Sequence, residues 1–176
     1  MSTKDLIGTL ARSRSTGNLE DPAYTTKVAL RRLARRCQAL DEEIKEAEAE
    51  IGPLVTKAAP KLVALPGVGP ETAGQLLETA GDNPERLRSE ASFAHLCGVS
   101  PIPGASGRTR RHRLNRGGDR QANRALHAIV LVRVKYDLRT QKDVARRTAD
   151  GLSKKEIIRC LKHFVAREIY RLPPRP

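Results

Sequence analysis

The 176 residues carry a formal net charge of +13 and a pI of about 10.3, with 39% hydrophobic residues, two Phe, three Tyr and no Trp. That length holds one ordinary domain plus an extension, its core should be aliphatic, and the scarcity of aromatics argues against base-stacking readers of the RRM or OB type, which need exposed rings. No apolar run is long enough to span a bilayer, no signal-peptide core stands at the amino terminus, and Cys37, Cys97 and Cys160 lack the close spacing of a disulfide framework or zinc site, so a reducing cytoplasm is expected.

Residues 1–22 are rich in Ser, Thr, Arg and Gly, show no periodicity, and read as a disordered lead-in. A heptad helix is expected over 23–52: Leu30, Leu33, Cys37, Leu40, Ile44, Ala47 and Ile51 follow a 3-4 spacing that keeps one apolar seam, and Gly52-Pro53 is the stop signal. Its charge is inverted against the helix dipole, with Arg31, Arg32, Arg35 and Arg36 early and Asp41, Glu42, Glu43, Glu46, Glu48 and Glu50 late. An antiparallel partner would repair that, which points to a homo-oligomer; a long helix lying on its own domain is the alternative.

A helical domain is expected over 55–172. At 62–77 a short helix ends at Leu65, Pro66-Gly67-Val68-Gly69 reverses the chain, and Pro70 suits the first position of a helix anchored by Ala73, Leu76 and Leu77. This is the pattern of a helix-hairpin-helix, in which amides around Gly67 and Gly69 would hold a phosphate without reading bases; a plain helical hairpin is the alternative. Two short helices should cover 84–97, with Phe93, Leu96 and Cys97 inward and Gly98 as the stop.

The arginine-rich loop at 98–120 follows. Between Gly98 and Arg124, Arg108, Arg110, Arg111, Arg113, Arg116, Arg120 and Arg124 face one carboxylate, Asp119, and little there could build a core. The excess charge begins here: residues 1–107 balance at −1, residues 108–176 at +14. A polyanion, nucleic acid before membrane, is the natural partner. Asp119 should cap a helix to about Tyr136 with Ala122, Ala125, Leu126, Ile129 and Val130 inward; Thr140 opens a further helix closed by Gly151. Ser153-Lys154-Lys155-Glu156 is a capping box for a last helix with Ile157, Ile158, Leu161, Phe164, Val165 and Ile169 inward, ended by Pro173-Pro174. No segment alternates with period two. The fold class is all-α, a coiled-coil-like helix followed by a helix-hairpin-helix-containing domain.

Most carboxylates fall on the heptad helix or at helix caps, so no two-metal nuclease site and no metal held by this chain are expected, and the four histidines, His95, His112, His127 and His163, are scattered. Only His112 is near Ser106 in sequence. Ser106, between Gly104-Ala105 and Gly107, could admit a phosphodiester closely, and Arg108, Arg110 and Arg111 could stabilise added negative charge; on residues alone, a phosphate hydrogen-bond donor is the simpler role.

In order, Leu65-Pro66-Gly67-Val68-Gly69-Pro70-Glu71-Thr72-Ala73, Phe93-Ala94-His95-Leu96-Cys97-Gly98-Val99-Ser100-Pro101, Ser106-Gly107, Arg113-Leu114-Asn115-Arg116-Gly117 and Asn123-Arg124-Ala125-Leu126 resemble the carboxy-terminal transposase domain of the bacterial insertion-sequence "one-ten" family, also named with one-sixteen and nine-oh-two. The resemblance implies a serine nucleophile at Ser106, a phosphoserine link to DNA during strand exchange, and a structured guide RNA bridging donor and target. It also implies magnesium, held by four acidic residues of an amino-terminal RuvC-like domain that 1–22 cannot encode, so the chain is expected to be a truncated member binding no cofactor itself. A non-catalytic helix-hairpin-helix module binding nucleic acid, or an inhibitory partner of a full-length transposase, are the competing functions.

Overall fold

The structure is a computed structural model describing residues 1–14, 16–18, 20–81, 87–104, 112–113 and 115–172. Among these are eight helices and one two-stranded ribbon: α1 (Thr3–Arg12), α2 (Pro22–Ala58), α3 (Pro60–Val63), α4 (Pro70–Ala80), α5 (Glu90–Leu96), β1 (Ile102–Pro103), β2 (His112–Arg113), α6 (Arg120–Tyr136), α7 (Leu138–Ala149) and α8 (Lys154–Tyr170). The all-α class holds. The chain divides into two compact units, Met1–Glu50 and Ile51–Pro176.

In the first unit, the lead-in expected to lack order contains α1. Its cause is local: the Ser2 hydroxyl accepts from the Asp5 N–H at 3.2 Å and the Asp5 carboxylate accepts from the Ser2 N–H at 3.1 Å, a complete capping box. Ala11 and Ala34 are buried, and Arg35 Nε donates to the Ala11 carbonyl at 3.3 Å, which ties α1 to α2. The expected stop at Gly52-Pro53 is also corrected, because α2 runs on to Ala58 with Pro53 inside it. A proline removes one ladder hydrogen bond and crowds the preceding turn, a local cost that the six further helical residues outweigh.

The second unit is built round α6, which packs against α4, α7 and α8, while α5 packs on α8. Ala122, Leu126, Ile129 and Val130 of α6 meet Ala73 and Leu76 of α4, Phe93 and Ala94 of α5, and Ile157, Val165 and Ala166 of α8 in one aliphatic core. Asp119 caps α6 as expected, accepting from the Gln121 and Ala122 amides at 2.7 and 3.2 Å, and Ser153 with Glu156 caps α8. The cap of α7 is Asp137, three residues before the expected Thr140, whose N–H it receives at 2.9 Å.

Two expected inward residues differ. Leu96 is half-buried outside the core, whereas the half-buried Ile158 packs against it, and Phe164 is 49% exposed while Lys162, two residues before it, is buried. Only α5 is described in the 84–97 stretch, since residues 82–86 lie outside the described residues. Glu90 at its start pairs with both Arg167, at 2.6 Å, and Arg171, and the Tyr170 hydroxyl donates to the Leu87 carbonyl at 2.9 Å, locking α5 to the end of α8.

Candidate nucleic-acid interface

The stem of the arginine-rich loop is set by two glycines. Gly98 turns the chain out of α5 at φ +63°, and Gly118 returns it so close that a β-carbon there would collide with the Gly98 backbone nitrogen. Only two bare backbones fit. The Asp119 N–H donates to the Leu96 carbonyl at 2.7 Å, and Asn123 Nδ2 donates to the Cys97 and Gly98 carbonyls at 3.0 and 3.1 Å. Asn123 Oδ1 in turn accepts from Lys162 Nζ at 2.7 Å, so one amide side chain joins the stem, α6 and α8. Sequence reasoning missed Asn123 and Lys162, because a polar residue inside an apolar stripe declares its partners only when the other chain segments are in place.

Above the stem, β1 and β2 pair antiparallel, Ile102 opposite Arg113 and Pro103 opposite His112. This two-residue ribbon leaves the all-α class unchanged, and it is too short for alternation to register in sequence. Ser106, Arg108, Arg110 and Arg111 fall on the connection between the two strands and lie outside the described residues. Arg113, Arg116, Arg120 and Arg124 are exposed, and none is ion-paired with a described residue. Arg120 and Arg124 are one turn apart on α6 and share a face.

Asp119 remains ionised at the head of α6. Burial pushes its pKa up, but the Thr79 hydroxyl, donating at 2.9 Å, and the Ala122 and Gln121 amides outweigh this and hold it below the ordinary value. Burial above all, with the same carboxylate adding to it, pushes the Cys97 thiol up to about 12, so that sulfur stays protonated.

The glycine hairpin sits elsewhere. Gly67, at φ +75°, faces α6, where a β-carbon would meet the Ile129 carbonyl oxygen at 3.0 Å, and Arg133 Nε donates to the Pro66 carbonyl at 2.7 Å. Arg133 Nη1 also donates to Glu168 at 2.5 Å, fixing the hairpin to α6 and α8 together. The Val68 amide donates to the Leu65 carbonyl and the Gly69 amide to the Thr72 hydroxyl, both at 3.1 Å. At 1.5 Å rise per residue, the Gly67 contact at Ile129 and Arg133 is roughly 14–20 Å along α6 from Arg120. The two expected binding elements meet the same helix at opposite ends.

No group of three or more His, Cys, Asp or Glu among the described residues could hold a metal ion. No helix among them is long and apolar enough to cross a membrane.

Residues 59–145 match the Transposase IS116/IS110/IS902 family. The matched segment, just under half of the chain, takes in the hairpin, the loop stem, Ser106 and all of α6. A curated relative, the insertion element IS110 uncharacterized 43.6 kDa protein of Streptomyces coelicolor, is 33% identical over 105 residues, 58% of this chain. The chain spans about a quarter, 26%, of that relative's length.

Proposed function

We propose that this chain is the serine-bearing part of an insertion-sequence transposase, holding DNA on the arginine face at the head of α6 and attacking a phosphodiester with Ser106. The observation that carries this is the pinned stem: Gly98, Gly118 and Asn123 fix both ends of a loop within the family-matched segment, and the exposed cations Arg113, Arg116, Arg120 and Arg124 lie beside it. In the reaction, Ser106 Oγ forms a bond to phosphorus while the bond from phosphorus to a sugar oxygen breaks. The hydroxyl proton ends on that leaving oxygen, and a second strand's hydroxyl later reverses the exchange. Arg108, Arg110 and Arg111 neutralise the charge that builds on the phosphoryl oxygens.

Amides at the start of α4, after Gly67 and Gly69, make a second, sequence-independent phosphate contact in the manner of a helix-hairpin-helix. Magnesium-binding carboxylates would come from the RuvC-like domain that the resemblance implies, outside the described residues, and the exchange at Ser106 would require them. The guide RNA of the resemblance would occupy the same basic surface. Self-association runs through α2, whose Leu33, Leu40 and Ile44 are all exposed.

Two measurements on the full chain test the reading. Duplex affinity should fall steeply with salt, and replacing Arg108, Arg110 and Arg111 together by Ala should flatten the log–log slope by about 0.9 for each phosphate no longer neutralised; an unchanged slope removes the loop from the interface. With a RuvC-like partner and magnesium added, a covalent DNA adduct should form and Ser106→Ala should abolish it, at an affinity cost within about 0.5–1.5 kcal/mol. An adduct that survives the substitution overturns the nucleophile.

A further inference from the structure

Beside the loop stem lies a groove of about 450 Å³, bounded by Val99–Pro101 and Arg113 on one side and by Leu152, Arg159, Lys162 and Phe164 on the other. Its volume is within the roughly 300–1,000 Å³ of small-ligand pockets. Two features of its lining are out of place for a plain surface cleft. Phe164 belongs by spacing to the inner face of α8 yet is 49% exposed, with the Arg147 guanidinium carbon 5.3 Å from its ring centre. That guanidinium is held in turn by Asp143, 2.7 Å from its Nε.

The second feature is charge. Lys162 is only 8% exposed, and its ammonium has Asn123 as its hydrogen-bond partner and no carboxylate among the described residues. Burial, with Arg159 nearby, lowers its pKa, the signature of a cation without a counterion. Glu156, the carboxylate among the described lining residues, already accepts from the Ser153 N–H and hydroxyl at 2.9 and 2.6 Å. A buried, uncompensated cation is costly unless an anion completes it, and an exposed aromatic ring flanked by a guanidinium is the surface on which a planar base stacks.

We propose that this groove receives one unpaired nucleotide of the bound DNA strand, its base against Phe164 and Arg147 and its phosphate toward Arg113, Arg159 and Lys162. The occupant is part of a DNA strand because Arg113 and Val99–Pro101 are the stem of the same loop that bears Ser106. An unpaired nucleotide there would hold the bound strand open at the loop stem. The inference rests on the DNA-binding reading above, and deepens it.

The test uses the full chain and matched duplexes that differ at one position: fully paired, carrying one unpaired 2-aminopurine, or carrying an abasic site. The wild type should bind the unpaired base roughly tenfold tighter than the paired or abasic duplex and quench its fluorescence. Phe164→Ala should reduce the preference below about twofold and remove the quenching while leaving paired-duplex affinity unchanged, and Phe164→Trp should restore both. Binding of all three duplexes with equal affinity, or a preference that survives Phe164→Ala, overturns the groove and leaves the DNA reading standing. Absence of binding to any duplex overturns both.

Discussion

Helices α2 and α6 carry apolar side chains at the same 3-4 spacing, but their fates are opposite. On α6, Leu126 and Ile129 are fully buried, whereas on α2, Leu33 and Ile44 are 59% and 55% exposed. Periodicity decides which side chains share a face; burial depends on what other elements bring to that face. α6 is covered because α4 and α8 present small and branched residues to it, Ala73 and Ala166 among them. Within its own unit, α2 receives only the single short helix α1, at Ala11 and Ala34.

The largest effect should come from the covered face. Leu126→Ala deletes a fully buried side chain at the centre of the core and should cost about 2–5 kcal/mol in urea unfolding, with the cavity adding to the transfer loss. Next is the hairpin contact on the same helix. Gly67→Ala must place a β-carbon at φ +75° and 3.0 Å from the Ile129 carbonyl, and should cost at least about 1–2 kcal/mol. If unfolding is unchanged by this substitution, the turn does not dock on α6 as described, and the core helix is less completely covered than the contrast requires.

The cap of α6 offers a smaller effect with a pH signature. Asp119 has a folded pKa below its ordinary 3.8, so the stability it contributes is fully present above that value and is lost as pH falls through the lowered one. Thr79→Val removes one hydrogen bond to the carboxylate and should cost about 1 kcal/mol at neutral pH. It should also move the acid-unfolding midpoint upward, because the folded pKa then lies nearer the ordinary value. A midpoint that stays put or moves down would show that Thr79 does not hold the charge.

Most helices of the second unit were legible in the sequence because their signals are local. Asp119 and the Ser153–Glu156 box mark starts, and Gly98 and Gly151, both at positive φ, mark reversals. The opening box of α1 is equally local, Ser2-Thr3-Lys4-Asp5 followed by Leu6, Ile7, Leu10 and Ala11, but the surrounding Ser, Thr and Arg content masked it. The stem was not legible, since the contact of Gly98 with Gly118 and the reach of Lys162 to Asn123 join residues 20 and 39 positions apart. Gly67 was legible as a turn and not as a docking point, because no pattern in its own segment shows that Ile129 and Arg133 lie against it.

The smallest stability effect should come from the exposed face of α2. Leu33 and Leu40 lose little water contact in the isolated chain, so the Leu33→Asp, Leu40→Asp pair should change the unfolding of the Ile51–Pro176 unit by less than about 0.5 kcal/mol. Its effect on mass should be large. An antiparallel pair of α2 helices would set Arg31, Arg32, Arg35 and Arg36 of one copy beside the acidic run from Asp41 to Glu50 of the other, burying both seams and neutralising both ends. Sedimentation equilibrium should therefore give the wild type at least twice the 19.4 kDa of one chain and the double variant 19.4 kDa. Equal monomeric masses would leave the seam uncovered in solution and the homo-oligomer without a basis. Equal multimeric masses would move the interface off α2, to an apolar surface such as Leu131, Val132 and Tyr136 on the outer side of α6, which are exposed despite the buried face behind them.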